Sequence, residues 1–208
     1  AIGRVSGAKV RHGNDVEFLY TGDVCYPRML EAIDEAEHSI ALLTFMFDND
    51  PVGQEFAATL GRAVERGVEV RVLIDGIGSL YTLPPIVWQL SRNRVPFARF
   101  LWSLWPWKMA YVNMRNHRKL LIVDGNLAFT GGMNIRHNNR LLDRPRHPVQ
   151  DLHARVRGPI VADLMQVFSD DWTYTTGEEL NDALPSTDQN GLPSVDFRFN
   201  PGGARKFG

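Results

Sequence analysis

His117 and Lys119 stand one residue apart at the head of a stretch that runs to Asn134 and reads H-R-K-L-L-I-V-D-G-N-L-A-F-T-G-G-M-N. Side chains alternate along a strand, so at these two positions they point the same way, roughly 6–7 Å apart. An imidazole and an ammonium on one face, beside the Gly131-Gly132 turn and the Asn134 amide, suit an anionic phosphodiester. A bare His-x-Lys pair carries no such meaning. The full spacing does, because the gap holds the element needed to carry the pair: Leu120 to Val123 is a short apolar, partly β-branched run suited to a strand buried on both faces.

The elements around that strand follow from pattern. Val16 to Tyr20 reads as an edge strand, and Arg28 to Glu37 as a helix with Met29, Leu30, Ile33 and Ala36 at steps of three and four. Ser39 to Phe47 is strand-like, and Asp48-Asn49-Asp50-Pro51 is a turn and helix-start signal. Phe56, Leu60 and Val64 mark the buried stripe of the next helix, Gly67 ends it, and Val68 to Asp75 forms a second strand. Strand, helix, strand in this order predicts a right-handed βαβ crossover and a parallel pair. A short helix (Pro84 to Arg92) and a strand (Val95 to Phe100) precede a segment at 101–111 rich in Trp. Trp and Tyr favour membrane–water interfaces, but they serve equally in a packed loop. After the motif, Ile135 to Pro148 is basic and suits a solvated loop able to reach head groups. Asp151 to Val156 reads as a strand with Leu152, Ala154 and Val156 alternating, and Gly158-Pro159 opens a helix whose stripe is Ile160, Leu164, Val167, Phe168 and Trp172. Residues 1–23 are an N-terminal segment, 24–175 the predicted core unit, and 176–208 a linker-like tail rich in Gly, Pro and Asn.

Composition bounds the rest. The 208 residues are 44% hydrophobic and 23% charged, which suits one globular α/β unit with a sizeable core. A formal net charge of −1 supplies no global field for nucleic acid or an anionic membrane, so any attraction for phosphate is local. The single Cys25 excludes an internal disulfide. No apolar run approaches the roughly 20 residues of a membrane span, and no signal-peptide pattern opens the chain. No Asp/Glu/His cluster near the motif has metal-ligand spacing, in keeping with chemistry that needs no metal and no cofactor.

The spacing H-x-K-x4-D-x6-G-G-x-N resembles the signature of the phospholipase D superfamily. With Gly-Val-x-Val-Arg-x-Leu-x-Asp at 67–75, Asn-His-Arg-Lys at 116–119 and Gly-Gly-Met-Asn-Ile at 131–135, residues 24–175 are similar to one half of a bacterial cardiolipin synthase-type enzyme. The resemblance implies a mixed β-sheet with helices on both faces, and two such halves sharing one active site. It implies a bacterial protein bound peripherally to a membrane, more on the cytoplasmic side, acting on phospholipid without a cofactor. His117 then attacks phosphorus to form a phosphohistidine, while Lys119, Gly132 and Asn134 hold the phosphate and Gly131 shapes the turn. Asp151 matches the acidic residue that fixes the tautomer of the histidine. Asp124, at the far end of the strand, is structural and binds turn amides before Gly125. Asp75 serves a turn, and His153 has no specific role. Gly132 departs from the serine that many members carry.

Three functions fit. One is a phosphatidyltransferase or phospholipase D completed by a second motif-bearing half, in the same polypeptide or in a homodimer mate. Another is a homodimeric single-motif phosphodiesterase of the nuclease type, which the near-neutral pI and the Trp cluster argue against. The third is a non-catalytic half-domain, although a scaffold has no physical need for His117, Lys119 and Asn134 together.

Overall fold

The computed structural model describes residues 11–100 and 115–177, and the backbone of 180–187 and 193–199. The Trp-rich segment at 101–111 lies outside the described residues. The elements are β1 (Asp15–Tyr20), α1 (Thr21–Glu35), β2 (Ser39–Thr44), α2 (Pro51–Glu65), β3 (Glu69–Asp75), α3 (Val87–Arg92), β4 (Phe97–Phe100), β5 (Leu120–Val123), β6 (Leu127–Gly131), β7 (Leu152–Arg157), α4 (Ile160–Thr176), β8 (Leu180–Thr187) and β9 (Pro193–Phe199).

One seven-stranded mixed sheet, in the order β1-β7-β6-β5-β2-β3-β4, organises the chain. The expected βαβ crossover is present: β2, β3 and β4 run parallel, whereas β5 pairs antiparallel with β2 and continues into an antiparallel meander with β6 and β7. The strand of the motif is the hinge between these two halves of the sheet, and it is buried on both faces as its composition requires. Leu121 and Val123 join the core under α1, α2 and α3, while Leu120 and Ile122 join Val161, Met165, Phe168 and Trp172 of α4. Each such fully buried aliphatic side chain contributes about 1.5–3 kcal/mol, so this strand is fixed rigidly where it enters the site. The helix-start signal also holds, with the Asp50 carboxylate accepting from Gly53 N at 2.9 Å and Pro51 in the first turn of α2.

The details differ from expectation in five places. Helix α1 begins at Thr21 and carries Pro27 inside it, whereas the apolar stripe is legible only after the proline. Strand β2 stops at Thr44, because beyond it the chain turns to pair with the loop after β6, through a bridge between Phe47 and Ile135. The alternation in β7 buries His153 and Val156 on opposite faces and leaves Leu152 exposed. The buried stripe of α4 is Val161, Met165, Phe168 and Trp172, a step away from Ile160 and Leu164. The segment expected as a linker-like tail holds the antiparallel pair β8–β9.

Candidate active site

The motif residues meet at one end of the sheet, where β2, β3 and β6 finish and β5 and β7 begin. The approach to β5 is clamped by two carboxylates. Asp75, fully buried at the end of β3, accepts from Ile77 N (3.0 Å) and Gly78 N (3.1 Å) through one oxygen, the turn role expected for it. Its other oxygen accepts from Asn116 N at 3.2 Å. Asp171 of α4 takes both oxygens to Arg118 Nη1 (2.7 and 2.6 Å) and also accepts from Asn116 Nδ2 at 2.7 Å. The residues before and between His117 and Lys119 are thus spent on anchoring, which fixes the backbone that carries those two side chains.

His117 is exposed, and its ring stacks on Phe45 with centroids 4.1 Å apart and planes 18° from parallel. The register explains this partner. Leu43 lies opposite Leu120 in the β2–β5 pair, and continuing it brings Phe45 opposite residue 118, between His117 and Lys119. The Lys119 ammonium stands 5.4 Å from the centroid of the same ring and donates to the His117 carbonyl at 2.6 Å. Burial lowers the Lys119 pKa from the usual lysine range, opposed by the negative charges of Asp151 and Asp75. Phe45 therefore joins the site, a residue whose place in the sequence gives only a strand position.

Asn134 supplies the opposite wall. Its Oδ1 accepts from Met46 N at 3.0 Å, and its carbonyl accepts from the buried Tyr26 hydroxyl at 2.6 Å. Since only the amide oxygen can accept that N–H, Nδ2 is left as a donor with no protein partner among the described residues. The same loop is zipped to the end of β2 by Ile135 N to Met46 O (3.1 Å) and Asp48 N to Ile135 O (3.0 Å), and by an ion pair of Arg136 with the buried Asp48 at 3.1 Å. Burial pushes the Asp48 carboxyl up, with Arg136 opposing. Of the basic loop, Arg136 and Arg140 are thus engaged inside the fold, Arg140 with Asp143 at 3.2 Å, while Arg144, Arg146 and His147 are exposed.

The Gly-Gly turn is dictated by what lies against it. A Cβ at Gly131, at φ +157°, would meet Leu152 O at 2.3 Å, and a Cβ at Gly132 would lie 2.1 Å from Asp151 Oδ1. The Asp151 carboxylate therefore packs directly over Gly132. Its Oδ1 accepts from Leu152 N at 2.7 Å, and no hydrogen bond joins it to the His117 ring among the described residues. Both ring nitrogens of His117 are without a hydrogen bond among the described residues. His153, opposite Gly131 in the β6–β7 pair, is buried and accepts from Met133 N through Nδ1 at 3.2 Å. Burial lowers its pKa to about 4, so the ring is neutral with its proton on Nε2. It braces the turn from beneath, a role that the sequence does not assign to it.

Asp124 is structural, as expected, but its partners differ. The carboxylate accepts from Glu37 N (3.0 Å), His38 N (2.8 Å) and Ser39 N (2.8 Å), the backbone entering β2, rather than from its own turn. Among the described residues no group of three or more His, Cys, Asp or Glu could hold a metal ion, and no helix is long and apolar enough to cross a membrane. What the arrangement offers, at one end of the sheet, is an exposed imidazole with no hydrogen-bond partner among the described residues, an ammonium with donors to spare, and an amide N–H: the equipment to attack and stabilise a phosphate ester.

Residues 29–172 match the family model described as "Cardiolipin synthase, PLD-like domain". Among curated proteins, cardiolipin synthase B of Salmonella typhi is 36% identical over 161 residues, covering 75% of this chain and 38% of the relative. Cardiolipin synthase 1 of Bacillus anthracis is 30% identical over 177 residues, covering 84% of this chain and 34% of the relative. The chain thus spans only about a third of the length of the curated relatives it matches. Among solved structures, the phospholipase D family member Nuc of Salmonella typhimurium superposes with a TM-score of 0.60 at 20% identity, over 78% of this chain and 97% of that one. Phosphatidylserine synthase of Haemophilus influenzae does so with a TM-score of 0.56 at 20% identity, over 76% of this chain and 36% of that one.

Proposed function

Since the chain belongs to the phospholipase D-like family, in its cardiolipin synthase-type branch, we propose that it is one catalytic half of an enzyme that transfers or hydrolyses the phosphodiester of a phospholipid. The observation that carries this reading is the convergence of His117 and Lys119 on the Phe45 ring, across from the free amide N–H of Asn134. A neutral His117 imidazole attacks phosphorus, the N–P bond forms, and the P–O bond to the departing alcohol breaks. Lys119 and Asn134 hold the non-bridging oxygens as charge builds on them. Water or a second alcohol then attacks the phosphohistidine and returns the imidazole to its starting state. Asp151 contributes negative charge beside Lys119, and orients His117 once substrate or a second half draws the ring toward it.

The leaving oxygen needs a proton from the side of phosphorus opposite His117, and one imidazole cannot stand on both sides. A second half supplies the other group. A face able to receive it adjoins the site: Tyr20 pairs with Leu152 at the site end of the β1–β7 edge, and these two, with Phe18 and Val16, leave an exposed apolar strip on one face. The curated relatives, about three times as long as the matched region, favour a second half within the same polypeptide. A homodimer is the second reading, favoured by the 97% coverage of the Nuc chain.

The test is to quench the complete polypeptide during turnover of a phosphatidylglycerol substrate and to map adducts by mass spectrometry. A phosphatidyl group on the peptide carrying His117, absent from the His117→Ala protein, is the expected result. Turnover with no histidine adduct in rapid-quench experiments would sink the covalent mechanism. Mass in solution measured alongside cleavage of a chromogenic diester separates the two ways of supplying the second half.

A further inference from the structure

Residues 76–91, which join β3 to the end of α3, carry no charged side chain. Along them Ile77 (38%), Leu80 (43%), Tyr81 (55%), Leu83 (87%) and Trp88 (63%) are exposed, an unusual concentration of apolar surface for one connection. The segment touches the chemistry, since the Tyr81 ring lies 6.3 Å from Phe45, the ring on which His117 stacks. It is also bordered by cations. Arg92, one helical turn beyond Trp88, and Arg94 are exposed, and neither has an ion pair among the described residues.

Resting on the phospholipid reading above, we infer that this connection is the membrane-docking surface of the half, and that its occupant is the interface of a bilayer bearing anionic head groups. Trp and Tyr suit that depth because one end of each ring is apolar and the other wet. Arg92 and Arg94 complement the negative head groups, a local attraction that the overall net charge of −1 does not supply. The backbone suits it too. Pro84 and Pro85 have no N–H, and the carbonyls of Ile77, Pro84, Pro85 and Ile86 all accept hydrogen bonds within the protein. A second exposed apolar strip among the described residues, on β1, belongs to an open sheet edge, which hydrocarbon disfavours and a protein partner tolerates. Docked through 77–88, the cleft faces the head-group layer, and a phosphodiester reaches His117 without leaving the interface.

The experiment is sedimentation of the complete polypeptide with vesicles of phosphatidylglycerol and phosphatidylcholine in equal parts, and with phosphatidylcholine alone. The double variant Leu83→Glu/Trp88→Glu lowers binding to the mixed vesicles at least tenfold, and leaves cleavage of a soluble chromogenic diester within about twofold of the parent. Arg92→Gln/Arg94→Gln lowers binding to the mixed vesicles several-fold and leaves binding to phosphatidylcholine unchanged. Unchanged binding in the Glu variant overturns the inference. So does parallel loss of soluble-diester cleavage with a change of mass in solution, because the surface then faces protein. Vesicle binding that depends on these residues, in a protein that cleaves no diester, supports the docking surface and overturns the enzymatic reading alone.

Discussion

The two ends of β5 belong to one motif and are built on opposite plans. At the entry, the His117 ring stacks on carbon, stands in solvent and makes no hydrogen bond among the described residues. At the exit, the Asp124 carboxylate is tied to three consecutive backbone amides at 2.8–3.0 Å. A group with its lone pairs committed to backbone holds the fold, whereas a group left uncommitted in a cleft is free for a substrate. Shared membership of a spaced motif thus hides a division between chemistry and architecture, with six residues between His117 and Asp124.

The widest gap between the two ends is expected in turnover. His117→Ala in the complete polypeptide should lower diester cleavage by at least about 10⁴-fold with an unchanged melting midpoint, because the lost group is an exposed nucleophile. Substantial cleavage by the folded variant would erase the distinction. Lys119→Ala should cost about 10²- to 10³-fold in kcat, through lost charge stabilisation of about 3–4 kcal/mol. Asp124→Ala should do the reverse: stability falls by about 2–4 kcal/mol in urea titration, as three amides lose their acceptor, while kcat of the folded protein stays within a few-fold. A large kcat loss at full stability would place Asp124 with the chemistry.

A smaller effect sharpens the comparison through pH. The folded His153 titrates near 4, below the ordinary 6.5, so the folded state disfavours its charged form. Its neutral form supports stability above about pH 6.5, and up to about 3 kcal/mol is lost as pH falls from there toward 4. Urea midpoints at pH 7 and 4.5 measure this, and His153→Gln, which keeps an acceptor for Met133 N, should flatten the acid limb. The smallest change is expected from Phe45→Leu, which removes the stacking surface. A several-fold fall in kcat with KM nearly constant would mark Phe45 as a positioning residue, and an unchanged kcat would leave the stack without consequence.

What the sequence makes legible here is whatever depends on nearby spacing. The His-x-Lys alternation, the buried run from Leu120 to Val123 and the Asp50-Pro51 helix start are each written within a few residues, and each is realised. Phe45 is not legible in the site because its contact with His117 depends on the antiparallel pairing of β2 with β5, elements separated by two crossovers. The amides bound by Asp124 are hidden for the same reason, lying on the turn before β2. His153 is masked by its neighbours: the apolar alternation of Leu152 and Val156 draws attention to one face of β7, while the histidine carries the buried position on the other.

The contact between Gly132 and Asp151 reaches beyond this molecule to how such chains diversify. A side chain at 132 and the present carboxylate at 151 compete for the same few cubic ångströms, since the added Cβ would sit 2.1 Å from Oδ1. The serine that many family members carry in the Gly-Gly turn is therefore not a free swap in this background. It requires the Asp151 carboxylate to swing off the turn, the residue at 151 to change, or the loop leading into β7 to draw back. Whatever occupies 132 thus sets where the acidic group at 151 can rest, and the two positions are coupled through that one contact.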